Sequence, residues 1–317
     1  MKKILLVKTS SLGDVVHNLP VASDIAAIAG ETEIHWLVEE PLAVIPRMHP
    51  EVKRVITVAV RRWRTTLWRQ RTRTEVRTFL HELREHAYDA IIDTQGLLKS
   101  AVLALTARGM RFGLDWASAR EPLAWFYDRT YSVPWTLHAV QRNRLLAAQA
   151  LNYALPAAID YGIRASKRKF AWLPPVRYAV LLHATSATHK LWDEANWLEI
   201  GRYLNERDIS SVLPWGNADE RDRSTRLAER ITGAIVPPAL QLNEVDALLA
   251  GAHAVVGVDT GLTHFATALG TRTVGVFIAT DPAATGLYGS PRAVNIGGIG
   301  EPPKVNDVIA AVERLIA

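Results

Sequence analysis

Cysteine is missing from all 317 residues of the sequence. Disulfide bonds, thiolate catalysis and cysteine metal sites are therefore excluded, and the composition is compatible with a cytoplasmic setting. Long hydrophobic runs are missing too, because the longest candidate, 247–258, ends at Asp259 and is shorter than the roughly 18 residues of a membrane helix. The basic start at 1–8 holds a short apolar stretch with no small-residue cleavage site after it, so we interpret it as a buried strand.

The composition that remains is that of an ordinary globular protein. Hydrophobic residues make up 49% and charged residues 22% of the chain, which indicates neither disorder nor a fibrous repeat. A chain of this length is typical of two domains of about 150 residues each. The net charge of +5 suggests an anionic partner, although the placement of the charges is more informative than their sum.

Apolar runs alternate with helical patterns in both halves, which predicts an α/β protein with parallel sheets covered by helices. Residues 154–175 break this pattern with a basic cluster and the pair Pro174-Pro175, so we predict domains at 1–165 and 166–317. In the first half we predict strands at 3–8, 33–38, 54–58, 90–93 and 111–113, and the clearest helices at 16–29 and 75–84. In the second half we predict strands at 178–183, 210–213, 254–258 and 273–277, and helices at 196–207, 219–231, 242–249 and 305–315.

Ligands of open parallel sheets bind beyond the carboxyl ends of the strands, so the loops after Lys8, His183, Leu213 and Val258 carry the candidate chemistry. The first loop, 8–14, places hydroxyls, a glycine and the carboxylate of Asp14 before a helix, where a phosphate or sugar can bind. A second interpretation is that Asp14 caps that helix. The loop matches neither G-x-G-x-x-G nor G-x-x-x-x-G-K-[ST], which disfavours a nicotinamide enzyme and a P-loop NTPase.

The loop at 258–264 is the second candidate. Its predicted helix begins at His264, and the amides of that helix start with the hydroxyls of Thr260 and Thr263 predict an anion site suited to a diphosphate. Asp259 would repel a diphosphate, so we expect it to accept sugar hydroxyls or to orient His264. The alternative for His264 is an ordinary buried or solvated histidine.

Two more loops add a cation and an acid. In the loop 183–192, Lys190 can neutralise a leaving diphosphate, or it can be an ordinary surface lysine. His183 and His189 in the same loop lack a suitably spaced carboxylate and do not predict a metal site. In 214–220, Trp215 can lie near a base and Glu220 on ribose hydroxyls, or Glu220 can be helix-start charge.

The stretch 61–77 holds seven arginines and one acid, Glu75, with Trp63 and Trp68 between them. Arginine and tryptophan together can bind nucleic acid, or a phosphorylated lipid at a membrane surface, or form a solvated basic helix.

The segment 8–20 (Lys-Thr-Ser-Ser-Leu-Gly-Asp-Val-Val-His-Asn-Leu-Pro) together with Asp-Thr-Gly-Leu-Thr-His at 259–264 resembles the bacterial lipopolysaccharide heptosyltransferases. The likeness covers nearly the whole chain. Arg-Arg-Trp-Arg at 61–64, Asp-Trp at 115–116 and Ala-Arg-Glu-Pro-Leu at 119–123 point to the heptosyltransferase I branch. Two departures are Ser186, where the family often has threonine, and 277–282, which lacks the usual Gly-Pro before Thr-Asp-Pro.

The resemblance implies a GT-B fold of two Rossmann-like domains facing across a cleft, the first for the acceptor and the second for the nucleotide-sugar. The resemblance leaves open whether the final helix packs back on the first domain. The implied reaction moves L-glycero-D-manno-heptose from ADP-heptose to Kdo of Kdo2-lipid A with inversion, with no cofactor or metal. The implied setting is the cytoplasm, peripheral to the inner membrane, with no nucleic acid as partner. Alternatives are heptosyltransferase II or III on an already heptosylated core, and, remotely, a basic nucleic-acid-binding protein without catalysis.

The resemblance also assigns site residues. Asp14 is implied to be the general base, since an aspartate is ordinarily ionised at neutral pH and can take the proton of the acceptor hydroxyl. The implied acceptor-binding residues are Ser10, Arg61, Arg62, Arg64 and Arg120. The implied donor-binding residues are Thr185, Ser186, Lys190, Glu220, Leu240, Asp259, Thr260, Gly261 and His264.

Overall fold

The computed structural model describes residues 1–28 and 30–317, so Ala29, the last residue of the helix predicted at 16–29, lies outside the described residues. The chain divides into two compact units, Met1–Ile163 and Arg164–Ala317. No helix in the described part of the chain is both long and apolar enough to cross a bilayer.

The first unit is built on a six-stranded sheet in which all neighbouring strands are parallel. Its strands are β1 (Lys2–Val7), β2 (Thr32–Glu39), β3 (Val52–Val58), β4 (Ala87–Asp93), β5 (Arg108–Leu114) and β6 (Arg129–Tyr131). The order across the sheet is β3-β2-β1-β4-β5-β6, which is the Rossmann arrangement. Leu5, Leu6 and Val7 of β1 are fully buried, as expected for a strand covered on both faces.

The described residues of this unit form the α-helices α1 (Leu12–His17), α2 (Leu19–Ile28), α3 (Val44–Arg47), α4 (Val60–Thr66), α5 (Gln70–Arg84), α6 (Leu98–Thr106) and α7 (Ala139–Leu151). The helix predicted at 16–29 is in fact the end of α1 and a separate helix, α2. Pro20 explains the break, because proline is tolerated in the first turn of a helix but not in its interior. In the first unit, the sequence prediction named neither the strand β6 nor the helices α3, α4, α6 and α7.

The second unit holds a five-stranded parallel sheet of β7 (Tyr178–Leu182), β8 (Ser210–Val212), β9 (Ala254–Val258), β10 (Thr273–Phe277) and β11 (Ala293–Gly297). The order across the sheet is β11-β10-β9-β7-β8, again a doubly wound arrangement. Its α-helices are α8 (Glu194–Asn205), α9 (Ala218–Ala228), α10 (Leu242–Gly251), α11 (Gly261–Ala268), α12 (Pro282–Thr285) and α13 (Val305–Ile316). The final helix, α13, packs on β9 and β10 through Val308, Ala311 and Val312. Its apolar face is therefore covered within its own unit.

The stretch 154–175, predicted as a linker, is fastened at several points. The buried guanidinium of Arg144 bonds the Asp24 carboxylate at 2.7 and 2.9 Å and donates to the carbonyls of Pro156 and Ala158 at 2.8 Å each. On the other side of the division, the backbone N–H of Ser166 donates to Asp246 at 2.8 Å. The two ends of the stretch thus belong to different units.

Candidate active site

The loop after β1 lies at the point where the strand order of the first sheet reverses, between β1 and β4. The backbone N–H groups of Thr9 and Ser10 both donate to Oε1 of Gln95, in the loop after β4, at 3.0 Å. Lys8 is buried, and its ammonium donates to the carbonyl of Thr94 at 2.7 Å and to Asn143 Oδ1 at 3.3 Å. The loops after β1 and β4 therefore form one polar surface at the carboxyl edge of the sheet.

Asp14 takes part in the N-terminal cap of helix α1, which was one of the two interpretations of the sequence. As the third residue of α1 it accepts hydrogen bonds at Oδ2 from the backbone N–H of Ser11 at 2.8 Å and from the Ser11 hydroxyl at 2.9 Å. No described residue donates to Oδ1. The cap uses one carboxylate oxygen, so capping and proton transfer are compatible in the same side chain.

Cations surround Asp14 in a pocket of the first unit. Arg120 and Arg142 line this pocket with Asp14, Lys8 and Trp135. Burial lowers the pKa of Lys8, whereas the charges of Asp14 and Asp93 act in the opposite direction. A pocket with three cations about one carboxylate fits an anionic sugar better than a neutral one.

Lys99, at the start of α6, contacts the candidate residue Ser10, which the sequence did not predict. Its ammonium donates to the hydroxyl of Ser10 at 2.5 Å. Burial and the charge of Arg61 lower the pKa of Lys99, while Glu39, Asp14 and Glu121 raise it. The sequence signal for this loop is the polar run Asp93-Thr94-Gln95 at the end of a buried strand, a position equivalent to those of the four candidate loops.

The arginine segment 61–77 is more neutralised than its sequence suggests. Arg62 pairs with Glu40 at 3.1 Å and with Glu75 at 2.6 Å, and Glu75 also accepts from Arg71. Arg61 and Arg64 lie exposed on α4.

Trp63, which was expected at a lipid or nucleic-acid surface, is instead 9% exposed and packs on Phe79, with its indole N–H donating to Glu75. That expectation was wrong, because position 63 faces the sheet. Trp68 is 73% exposed, as a surface tryptophan should be.

Three side chains of the second unit, Lys190, Thr280 and His264, bond to Asp259, just after β9. The ammonium of Lys190 donates to Oδ2 at 2.6 Å, the hydroxyl of Thr280 donates to Oδ2 at 2.7 Å, and His264 Nε2 lies 3.2 Å from Oδ1. Burial raises the pKa of Asp259, but the hydrogen bonds from His264, Lys190 and Thr280 outweigh it and hold the pKa well below its ordinary value. Asp259 is therefore an anion that orients both Lys190 and His264.

Helix α11 begins three residues earlier than predicted, at Gly261, with Thr260 as its N-cap. The first turn of α11 follows Asp259 closely along the chain, and the start of a helix offers backbone N–H groups from which a diphosphate can accept. The hydroxyl of Thr263, expected to join that anion site, is fully buried and donates to the carbonyl of Val258 at 2.7 Å. That expectation was wrong because the hydroxyl is already used to fasten α11 to β9.

The loop after β7 carries Thr185, half-buried, and Ser186, exposed. His183 is not part of its polar surface, since it is buried and its Nε2 lies 2.9 Å from the hydroxyl of Ser224. Burial lowers the pKa of His183 to about 4, so it is neutral at physiological pH. The described residues contain no group of three or more His, Asp or Glu that could hold a metal ion.

The loop after β8 leads into α9. Glu220 lies in the first turn of α9 and accepts from the backbone N–H of Gly216 at 2.7 Å. The indole of Trp215 donates to the carbonyl of Pro237 at 2.9 Å, which ties this loop to the segment before α10. Leu240, in that segment, is half-buried. The contacts of Trp215 thus link the strand-end loop of Glu220 to the neighbourhood of Leu240.

Two Rossmann-like units, one with a carboxylate loop and the other with a lysine beside a helix start, are the parts of a GT-B glycosyltransferase. The chain belongs to glycosyltransferase family 9 (heptosyltransferase), whose family model matches residues 76–310. It is 49% identical to lipopolysaccharide heptosyltransferase 1 of Pseudomonas aeruginosa over 93% of this chain and 83% of that protein.

Solved structures agree with that assignment. E. coli heptosyltransferase WaaC with ADP matches with a TM-score of 0.89 at 39% identity, covering 99% of both chains. The same enzyme with ADP-2-deoxy-2-fluoro heptose matches with a TM-score of 0.85 at 38% identity, covering 99% of this chain and 98% of that one. The predicted family and the GT-B fold class are confirmed.

Proposed function

We propose that this chain is an inverting glycosyltransferase that moves L-glycero-D-manno-heptose from ADP-heptose to Kdo of Kdo2-lipid A in the inner core of lipopolysaccharide. The observation that carries the proposal is its 49% identity, over 93% of the chain, to a lipopolysaccharide heptosyltransferase 1. Similarity to a heptosyltransferase solved with an ADP-heptose analogue supports the donor.

Asp14 is the general base of this reaction. The acceptor hydroxyl forms a bond to the anomeric carbon while the bond from that carbon to the diphosphate oxygen breaks, and the hydroxyl proton passes to the carboxylate. One carboxylate is enough for this single displacement, and Oδ1 is the oxygen that the helix cap leaves unused. Ser10, Arg61, Arg62, Arg64 and Arg120 hold the acceptor, with the cations on its carboxylates and phosphates.

The donor binds in the second unit. The ammonium of Lys190 and the first-turn amides of α11 stabilise the departing ADP, which makes a metal ion and any other cofactor unnecessary. Asp259 fixes Lys190 and His264 in place, and the remaining donor-binding residues are Thr185, Ser186, Glu220, Leu240, Thr260 and Gly261. The protein works in the cytoplasm at the inner membrane surface, where its lipid acceptor is embedded.

An acceptor assay tests this function and its alternative together. Purified protein is given ADP-heptose with Kdo2-lipid A and, separately, with the monoheptosylated acceptor, and the products are weighed by mass spectrometry. We expect one heptose on Kdo2-lipid A. Product only from the monoheptosylated acceptor would reassign the chain to the second or third heptose transfer, and nucleic-acid binding without any turnover would exclude the enzyme.

A further inference from the structure

One face of helix α6 carries large hydrophobic side chains that lie exposed. Leu98, Val102 and Leu105 are 51%, 46% and 42% exposed. Their spacing of four and three residues puts them on a single face, opposite the buried Ser100 and Ala104. A contiguous apolar stripe of this kind on a helix marks an interaction surface more often than ordinary solvent exposure.

The stripe continues onto the neighbouring loop. Ala101 of α6 packs in a small cluster with Leu123 and Tyr127, which holds the intervening segment against the helix. Trp125 in that segment is 86% exposed, and its ring meets that of Trp116 edge to face with 5.6 Å between centroids. Two exposed tryptophans therefore extend the stripe of α6.

The same surface reaches the rim of the Asp14 pocket. Trp135 lines that pocket, and its indole N–H donates at 2.9 Å to the carbonyl of Ala117, the residue after Trp116. Trp135 is itself 47% exposed. Trp135, Trp116 and Trp125 thus mark a path of aromatic side chains from the candidate acceptor site outward to α6.

A row of cations flanks this path. Arg73, Arg77 and Arg84 lie on one face of α5 by their spacing, all three are exposed, and α5 packs beside α6. Arg84 Nε donates to the carbonyl of Thr106, the last residue of α6, at 3.0 Å. No carboxylate in the described chain pairs with Arg73 or Arg77. The apolar stripe is therefore bordered by unneutralised positive charge.

We propose that this α6 surface, formed by Leu98, Val102, Leu105, Trp116 and Trp125, docks on the anionic lipid bilayer that carries the acceptor. The statement that this bilayer carries the acceptor rests on the proposed function. Apolar and tryptophan side chains enter the headgroup region of a bilayer, while arginines bind its phosphates. A second copy of the chain fits less well, because a symmetric contact through the same face brings like-charged arginine rows together.

Vesicle co-sedimentation tests the proposal, with phosphatidylethanolamine and phosphatidylglycerol vesicles and the full chain. A variant with Val102→Ser, Leu105→Ser and Trp125→Ser is compared with Ile299→Ser, a control at a position 68% exposed in the second unit. We expect the triple variant to bind about tenfold more weakly or worse, and the control to bind as the wild type does. A separate variant, Arg73→Gln with Arg77→Gln, is expected to lose mainly the salt-sensitive part of binding. Matching thermal unfolding curves verify that the variants are folded.

Turnover separates failure of this inference from failure of the proposed function. Each protein is given an acyl-free Kdo acceptor in solution and Kdo2-lipid A in the same vesicles. The inference predicts that the triple variant is impaired only on the vesicle-borne acceptor. Equal binding and turnover by the triple variant and wild type would overturn it, and so would a wild-type dimer in sedimentation velocity that the triple substitution dissociates. A wild-type protein inactive on both acceptors would instead refute the proposed function.

Discussion

The carboxylate of Asp14 has two tasks, helix capping and proton transfer, that substitution can separate. Asp14→Asn removes the base, but its amide oxygen can still accept from the backbone N–H and hydroxyl of Ser11, which the carboxylate binds at 2.8 and 2.9 Å. Ser11→Ala does the opposite, because it removes one of those two hydrogen bonds and leaves the carboxylate intact. The two variants therefore make a matched pair.

Asp14→Asn should mainly lower kcat, whereas Ser11→Ala should mainly lower the free energy of unfolding. Loss of a general base lowers kcat by about 10²- to 10⁴-fold, so Asp14→Asn should be nearly inactive. Its cost in the free energy of unfolding should stay below about 1 kcal/mol, since only the favourable charge at the start of α1 is lost. Ser11→Ala should lower the free energy of unfolding by about 0.5–1.5 kcal/mol and leave kcat close to that of the wild type.

Three measurements on both variants complete the test: kcat on the Kdo acceptor, the free energy of unfolding in urea, and calorimetric binding of ADP-heptose. Donor affinity should be unchanged in both, because the donor residues lie in the other unit. If Ser11→Ala were as inactive as Asp14→Asn, or if Asp14→Asn kept most of its turnover, Asp14 would be only a helix cap.

Three further predictions concern the donor site and stability. Lys190→Met should weaken ADP binding about 10- to 100-fold in calorimetry, with the acceptor KM unchanged, and undiminished ADP binding would remove Lys190 from the diphosphate site. Arg144→Met leaves the buried Asp24 carboxylate without its partner, so denaturant unfolding should show a loss of about 3–5 kcal/mol; a loss under 1 kcal/mol would contradict the buried pair. His183 has its pKa lowered to about 4 by burial, so the unfolded chain binds the extra proton below its ordinary pKa of 6.5. The contribution of His183 to the free energy of unfolding is fully present above about pH 6.5 and is lost as the pH falls toward 4, by up to about 3 kcal/mol. His183→Gln should therefore flatten the dependence of the free energy of unfolding on pH in that range.

Much of the fold could be predicted from the sequence because the interior strands are short apolar runs bounded by polar loops. β9 and β10 begin and end at the predicted residues. The strand at the edge of the first sheet was harder to predict. This strand, β6, has only three residues, none of them buried, so it carries no hydrophobic pattern. The chain breaks between α1 and α2 because of the position of Pro20. The break was not predicted, since the apolar pattern continues on both sides of this proline.

The candidate site could be predicted where one loop contains both the strand end and the functional groups. Asp259 and His264 lie in the candidate loop after β9 and Lys190 in the candidate loop after β7, and the three side chains are joined by hydrogen bonds. Lys99 could not be paired with Ser10 in the same way, since 89 residues separate them and only the order of β1 and β4 in the sheet brings them together. The burial of Trp63 was also invisible, because a tryptophan among arginines has no periodic apolar neighbours to mark its face.

The most direct test of the central claim is the linkage of the product formed in the presence of a chelator. Wild-type protein is incubated with ADP-heptose, Kdo2-lipid A and EDTA, and the purified product is analysed by NMR. The account predicts a single heptose on Kdo whose anomeric configuration is opposite to that of the donor. A product with retained configuration, or no product unless a metal is restored, would contradict it.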